Sequence, residues 1–130
     1  MKKGNKKIRE WMMRAKSNLS RAKTGKISPD ILYEDLCFDA QQAVEKSLKS
    51  LCIAYELVFP TTHNIGFLIE LIQKAKVIFP EELLTARLLT DYAVETRYPG
   101  DYKPVNESEY QKAVEIAEKM YDWIERRLEK

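Results

Sequence analysis

Cysteine, histidine, glycine and proline are all scarce in this chain of 130 residues: two, one, four and five respectively. Two cysteines and one histidine are too few ligands for a four-coordinate zinc site. Cys37 and Cys52 fall on one expected helix, roughly 22 Å apart at 1.5 Å per residue, too far for a disulfide bond. Reduced, packed thiols follow. So little glycine and proline argues against a turn-rich β fold and for long helices. No apolar run approaches the roughly 18 residues that span a membrane. The lysines at the start precede no apolar stretch of the kind a signal peptide carries, so a cytoplasmic protein is expected. Glycine-rich phosphate loops, the HExxH pattern and paired-carboxylate helix motifs are missing too, and neither a metal nor a cofactor is expected.

What is present suits one globular domain. Hydrophobic residues make up 45% and charged residues 32%, enough to close a modest core without disorder. The net charge of +2 does not advertise nucleic-acid binding by the chain as a whole. Basic residues gather at the ends, with Lys2, Lys3, Lys6, Lys7 and Arg9 at the start and Arg126 and Arg127 near the finish. They read as solubilising termini, residues 1–5 being a disordered basic start.

Apolar spacing predicts five helices. The first covers Lys6 to Lys23, with Ile8, Trp11, Met12, Ala15, Leu19 and Ala22 on one stripe and Gly25 beyond its end. "SPD" opens the second, with Ser28 as N-cap and Pro29 in the first turn, and it runs to about Glu56. "FPTTHN" ends it, and Thr61 or Thr62 caps a third helix over His63 to Lys76. Pro80 begins a fourth, which carries Leu84, Leu88, Leu89, Tyr92 and Ala93 inward and stops near Arg97. After "YPGDYKPV", Asn106 with Glu109 starts the fifth in the manner of a capping box. Five helices on short links imply an all-α, antiparallel up-and-down bundle.

The second helix raises a question of its own. With Ala40 at the centre of its buried face, Gln42, Glu45 and Lys49 fall nearly opposite, in one stripe with Phe38 and Ile53. That stripe reads either as a wet face with an i,i+4 ion pair or as a partner interface, an aromatic and an isoleucine flanking adaptable polar groups. On a twofold dimer, Glu45 of one copy would meet Lys49 of the other.

"FDAQQAVEKSLKSL", "THNIGFLIEL" and "TRYPGDY", in that order and with "WMMRAKSNLSRA" ahead of them, resemble the HEPN domain over nearly the entire chain. The resemblance implies a helical bundle that dimerises. It also implies a partner, a minimal nucleotidyltransferase encoded beside it in a toxin–antitoxin-like pair. Ribonucleases of the superfamily use an arginine followed, after about four to six residues, by a histidine. Arginine would stabilise charge on the phosphorane and histidine would move the proton of the 2′-hydroxyl.

Arg97 fits the first role, but the histidine positions hold Tyr102, Lys103 and Pro104. A tyrosine with a pKa of about 10 is a poor base at neutral pH. What remains is a nucleotide- or RNA-binding cluster of Arg97, Tyr98, Asp101, Tyr102 and Lys103, or a helix-end arginine over a rigid turn. His63, the single histidine, is either a capping and packing residue or a neighbour of Arg97 in a shared pocket. The resemblance further marks Tyr98 and Tyr102 as targets for modification by the partner enzyme. Three functions stay open: a non-catalytic or weakly active HEPN dimer with that partner, a ribonuclease toxin with an unusual residue set, and an oligomerising module without a small ligand.

Overall fold

The computed structural model describes residues 5–93 and 104–129, and all the regular structure among them is helical. Asn5, expected in a disordered start, is instead the N-cap of α1 (Lys6–Lys23): its side chain accepts the Lys7 N–H at 2.7 Å. Gly25, at φ +70°, turns the chain after α1 in the left-handed region that glycine enters without strain.

The second helix, α2 (Tyr33–Ala54), starts later than "SPD" suggested. Ser28 does accept a backbone N–H, from Asp30, but its carbonyl accepts from Ile31, which closes a turn. Leu32 is extended, so the helix begins beyond it, with Glu34 and Asp35 in the first turn where the helix dipole favours acids. Tyr33 is pinned there by stacking on Tyr110 at 5.0 Å. At the other end Glu56 takes φ +59°, and the Leu57 N–H reaches back to the Cys52 carbonyl at 2.8 Å. This is a Schellman closure with glutamate where glycine is usual.

Residues 55–64 then run back along α2. Phe59 lies beside Lys49, and His63 beside Glu45 and Gln41. This strap is the downstroke between two upward helices. α3 (Ile65–Gln73) follows, two residues shorter at its start than expected and three at its end. Its cap is Asn64, whose side chain accepts the Phe67 N–H at 3.0 Å; Thr62 instead holds the Asn64 N–H. Asn64→Ala is expected to cost about 1 kcal/mol of stability. Urea melts of the two proteins check this, and an unchanged midpoint would show that the cap contributes nothing.

Residues Glu81–Ala93 form a 3-10 helix. Its buried residues are Leu83, Ala86, Leu89 and Ala93, a spacing of mostly three, and Leu88 is 72% exposed. The expected inward stripe through Leu84 and Leu88 assumed a 3.6-residue turn, and the tighter winding replaces it. α4 (Glu107–Glu129) starts as read, with Asn106 accepting the Glu109 N–H at 2.8 Å. The Glu109 carboxylate does not close the box; it accepts from Tyr92 at 2.8 Å.

α2 is the axis, touching α1, α3, the 3-10 helix and α4. Around it α1 meets α4, α4 meets the 3-10 helix, and the 3-10 helix meets α3. α1 and α3 do not meet, and the strap fills the space between them. Ties along the bundle fix the register. Ser50 donates to the Ile8 carbonyl, Tyr110 to the Ala22 carbonyl and Arg127 to the Tyr55 hydroxyl. Among the described residues no helix is long and apolar enough to cross a membrane.

Cys37 and Cys52 are both free and fully buried on α2. Burial, with the charges of Glu109 and Glu34 behind it, pushes the Cys37 thiol up to about 12 against a hydrogen bond with Tyr92. Burial alone takes Cys52 to about 12, opposed by Lys49. The thiolate is the reactive form, so at about pH 8 neither cysteine is expected to react with a thiol reagent until the protein unfolds. A rapid stoichiometric reaction of the native protein would contradict this.

Candidate functional site

The back of α2 carries a closed polar network. Glu45 is 2% exposed and Lys49 6%, so the stripe read as facing away from the core is in fact enclosed at these two positions. The strap is the physical reason: with Trp11 of α1 it closes over Lys49, and through His63 it reaches Glu45. Lys49 Nζ lies 5.5 Å from the Trp11 ring and 5.9 Å from the Phe59 ring, where ring faces attract a cation.

Glu45 is fully engaged. Its Oε2 accepts from Lys49 at 2.9 Å, and its Oε1 accepts from Gln41 Nε2 at 3.2 Å and lies 2.8 Å from His63 Nδ1. Gln41 Nε2 also reaches the His63 carbonyl at 3.1 Å, and Gln42 donates to Gln41 Oε1 at 2.7 Å. Burial pushes the Glu45 carboxyl up, but the bonds from Lys49, His63 and Gln41 and the charge on Lys49 outweigh it. The group sits below its ordinary value.

His63 is fixed at one ring nitrogen and open at the other. Its side chain is 53% exposed, and Nε2 has no partner among the described residues. A carboxylate on Nδ1 favours a proton there, which leaves Nε2 as the solvent-facing atom. The network therefore ties the strap to α2 and at the same time holds an imidazole outward. Nearby, the Ile65 N–H donates to Thr90 Oγ1 at 3.1 Å, which joins the start of α3 to the end of the 3-10 helix.

A second polar cluster joins α1 to α2. Asp39 accepts from Asn18 at 2.9 Å and from both Nε and a terminal nitrogen of Arg21, and Lys46 donates to Asn18 at 2.7 Å. On the opposite side, a cavity of about 420 Å³ opens between the 3-10 helix and α4, over Leu88, Leu89, Tyr92 and Ile116.

Of the residues singled out from sequence, His63 joins Glu45 and Lys49 in one network. Phe38, Gln42 and Ile53 are half-buried, whereas the ion pair on the same stripe is enclosed. A cross-copy Glu45–Lys49 bridge is replaced by the bridge within one chain. Arg97, Tyr98, Asp101, Tyr102 and Lys103 lie outside the described residues. Gln41, Asn18 and Asp39 were not read as site residues. Their signal was there as amide and acid side chains close to the apolar stripes of the first two helices, where a polar group must find a partner.

The family model described as "HEPN domain" matches residues 8–127, and the chain belongs to the HEPN family. It is similar to the crystal structure of TT1696 from Thermus thermophilus, with 30% identity and a TM-score of 0.76 over 94% of this chain and 98% of that one. It is also similar to the crystal structure of ST0689, an archaeal HEPN homologue, with 24% identity and a TM-score of 0.72 over 98% and 99%. This second likeness shows the fold alone. No curated protein matches the chain.

Proposed function

We propose that the chain is the HEPN component of a two-gene toxin–antitoxin-like pair. It works in the cytoplasm as a homodimer with weak catalytic activity or none, binds a minimal nucleotidyltransferase, and takes nucleotide or RNA near Arg97. The HEPN fold supports a nucleotide- or RNA-related role in general. One observation carries the non-catalytic part: the positions after Arg97 where a ribonuclease of the superfamily holds histidine are Tyr102, Lys103 and Pro104, and the single histidine, His63, stands well before Arg97 in the chain.

The test is purification together with the protein encoded beside it. Co-elution, a protomer pair by light scattering, and nucleotide binding weakened about tenfold or more in Arg97→Ala are the expected results. Separate elution sinks the pairing. RNA cleavage that survives purification and vanishes in Arg97→Ala would replace this reading with a ribonuclease. Dimers that bind no nucleotide at millimolar concentration would leave an oligomerising module. Tyr98 and Tyr102 are the residues on which the partner would place a modification, and intact mass after incubation with partner and ATP reads it.

A further inference from the structure

His63 is the single histidine of the chain, and α2 grips it twice. Gln41 Nε2 holds its main-chain carbonyl at 3.1 Å, and Glu45 Oε1 holds its Nδ1 at 2.8 Å. Backbone and ring are both anchored, and the ring cannot turn over without losing its bond. Glu45 is 2% exposed; against that burial, the bonds from Lys49, His63 and Gln41 keep it ionised. A carboxylate on Nδ1 keeps the ring proton on that nitrogen. The lone pair of the neutral ring then lies on Nε2, which faces solvent and has no partner among the described residues.

Tying the strap to α2 requires only the Nδ1 bond. The rest of the arrangement is that of a nucleophile: one nitrogen held by a base, that base oriented by further groups, and the other nitrogen clear. The surroundings favour an anionic electrophile. Among the described residues Glu45 is the only carboxylate on the ring, and it stands at Nδ1, away from Nε2. Two residues on, α3 begins at Ile65, and the Gly66 N–H of its first turn has no partner among the described residues. Arg87, exposed and unpaired among them, brings its Cβ 3.6 Å from the position that a Cβ on Gly66 would take. A positive helix end and the stem of a guanidinium therefore stand at the turn that follows His63.

We propose that His63 is a phosphoryl acceptor, modified on Nε2 by a donor that carries its phosphoryl group on nitrogen, such as the phosphohistidine of another protein. The Nε2 lone pair forms the new N–P bond as the P–N bond of the donor breaks. The electron pair departs on the donor nitrogen, which takes a proton from water. The ring keeps its Nδ1 proton and gains a positive charge, and the Glu45 carboxylate is placed to stabilise that charge. The step needs neither Arg97 nor the nucleotidyltransferase partner.

Phosphoramidate is the probe. Intact mass reads the extent of reaction, and phosphorus NMR reads which nitrogen carries the group. An unstructured peptide of residues 59–67, which holds the same histidine, is the reference. The folded protein is expected to gain one phosphoryl group, on Nε2 alone, about tenfold or more faster than the peptide. His63→Gln is expected to gain none. Glu45→Gln keeps a polar side chain without the charge and is expected to react at the rate of the peptide. Circular dichroism checks that this variant folds; if it does not, the rate and the position of the group in the parent protein decide. The proposal is overturned by a rate no greater than that of the peptide, by a phosphoryl group on Nδ1, or by labelling that persists in His63→Gln. An undiminished rate in folded Glu45→Gln overturns the part assigned to Glu45.

Discussion

Glu45→Ala is expected to remove about 3–5 kcal/mol of folding free energy, a large share of the roughly 5–15 kcal/mol that holds a domain of this kind together. The substitution leaves the Lys49 ammonium buried between two rings with no opposite charge. It also takes the acceptor from Gln41 and His63, so the strap loses its main tie to α2. Urea unfolding measures the loss. A change under about 1 kcal/mol would place the pair with exposed ion pairs and refute its enclosure.

Acid should reproduce part of the effect. The Glu45 pKa is lower in the folded chain than in the unfolded one, where a glutamate titrates near about 4.3. Its contribution is therefore complete above that unfolded value and is lost as pH falls through the lower folded value. Glu45→Gln, which cannot ionise, should flatten that part of the stability curve. An unchanged slope in the variant would assign acid unfolding to other carboxylates.

Leu48→Ala is expected to cost about 3–5 kcal/mol, the upper part of the range for buried leucine. Leu48 is wholly buried on the helix that every other element touches. Neighbours can collapse into a cavity only by moving, and here a movement toward α2 from one side pulls away from contacts elsewhere on the ring. The remaining void keeps its full penalty. A measured loss below about 2 kcal/mol would show that the ring yields.

Much of this was legible in the residues. The bounds of α1, the Asn106 cap of α4 and the inward row of α2 through Leu36, Ala40, Val44 and Leu48 follow directly from spacing and cap chemistry. The enclosure of α2 did not follow. Fourteen of its 22 residues are buried, and periodicity finds one buried face but cannot see that the opposite face is covered as well. A glutamate four residues before a lysine reads the same whether water or a strap lies over it. "FPTTHN" ended a helix correctly but carried no local sign of where the chain would lie down afterwards. The leucines of 81–93 fit a repeat of three about as well as one of 3.6 over so few turns.

That last segment is stored length. Thirteen residues wound as a 3-10 helix extend about 26 Å, and the same residues in an α-helix would extend about 20 Å. The tighter winding therefore carries the chain about 6 Å further along the bundle than an α-helix of the same residues would.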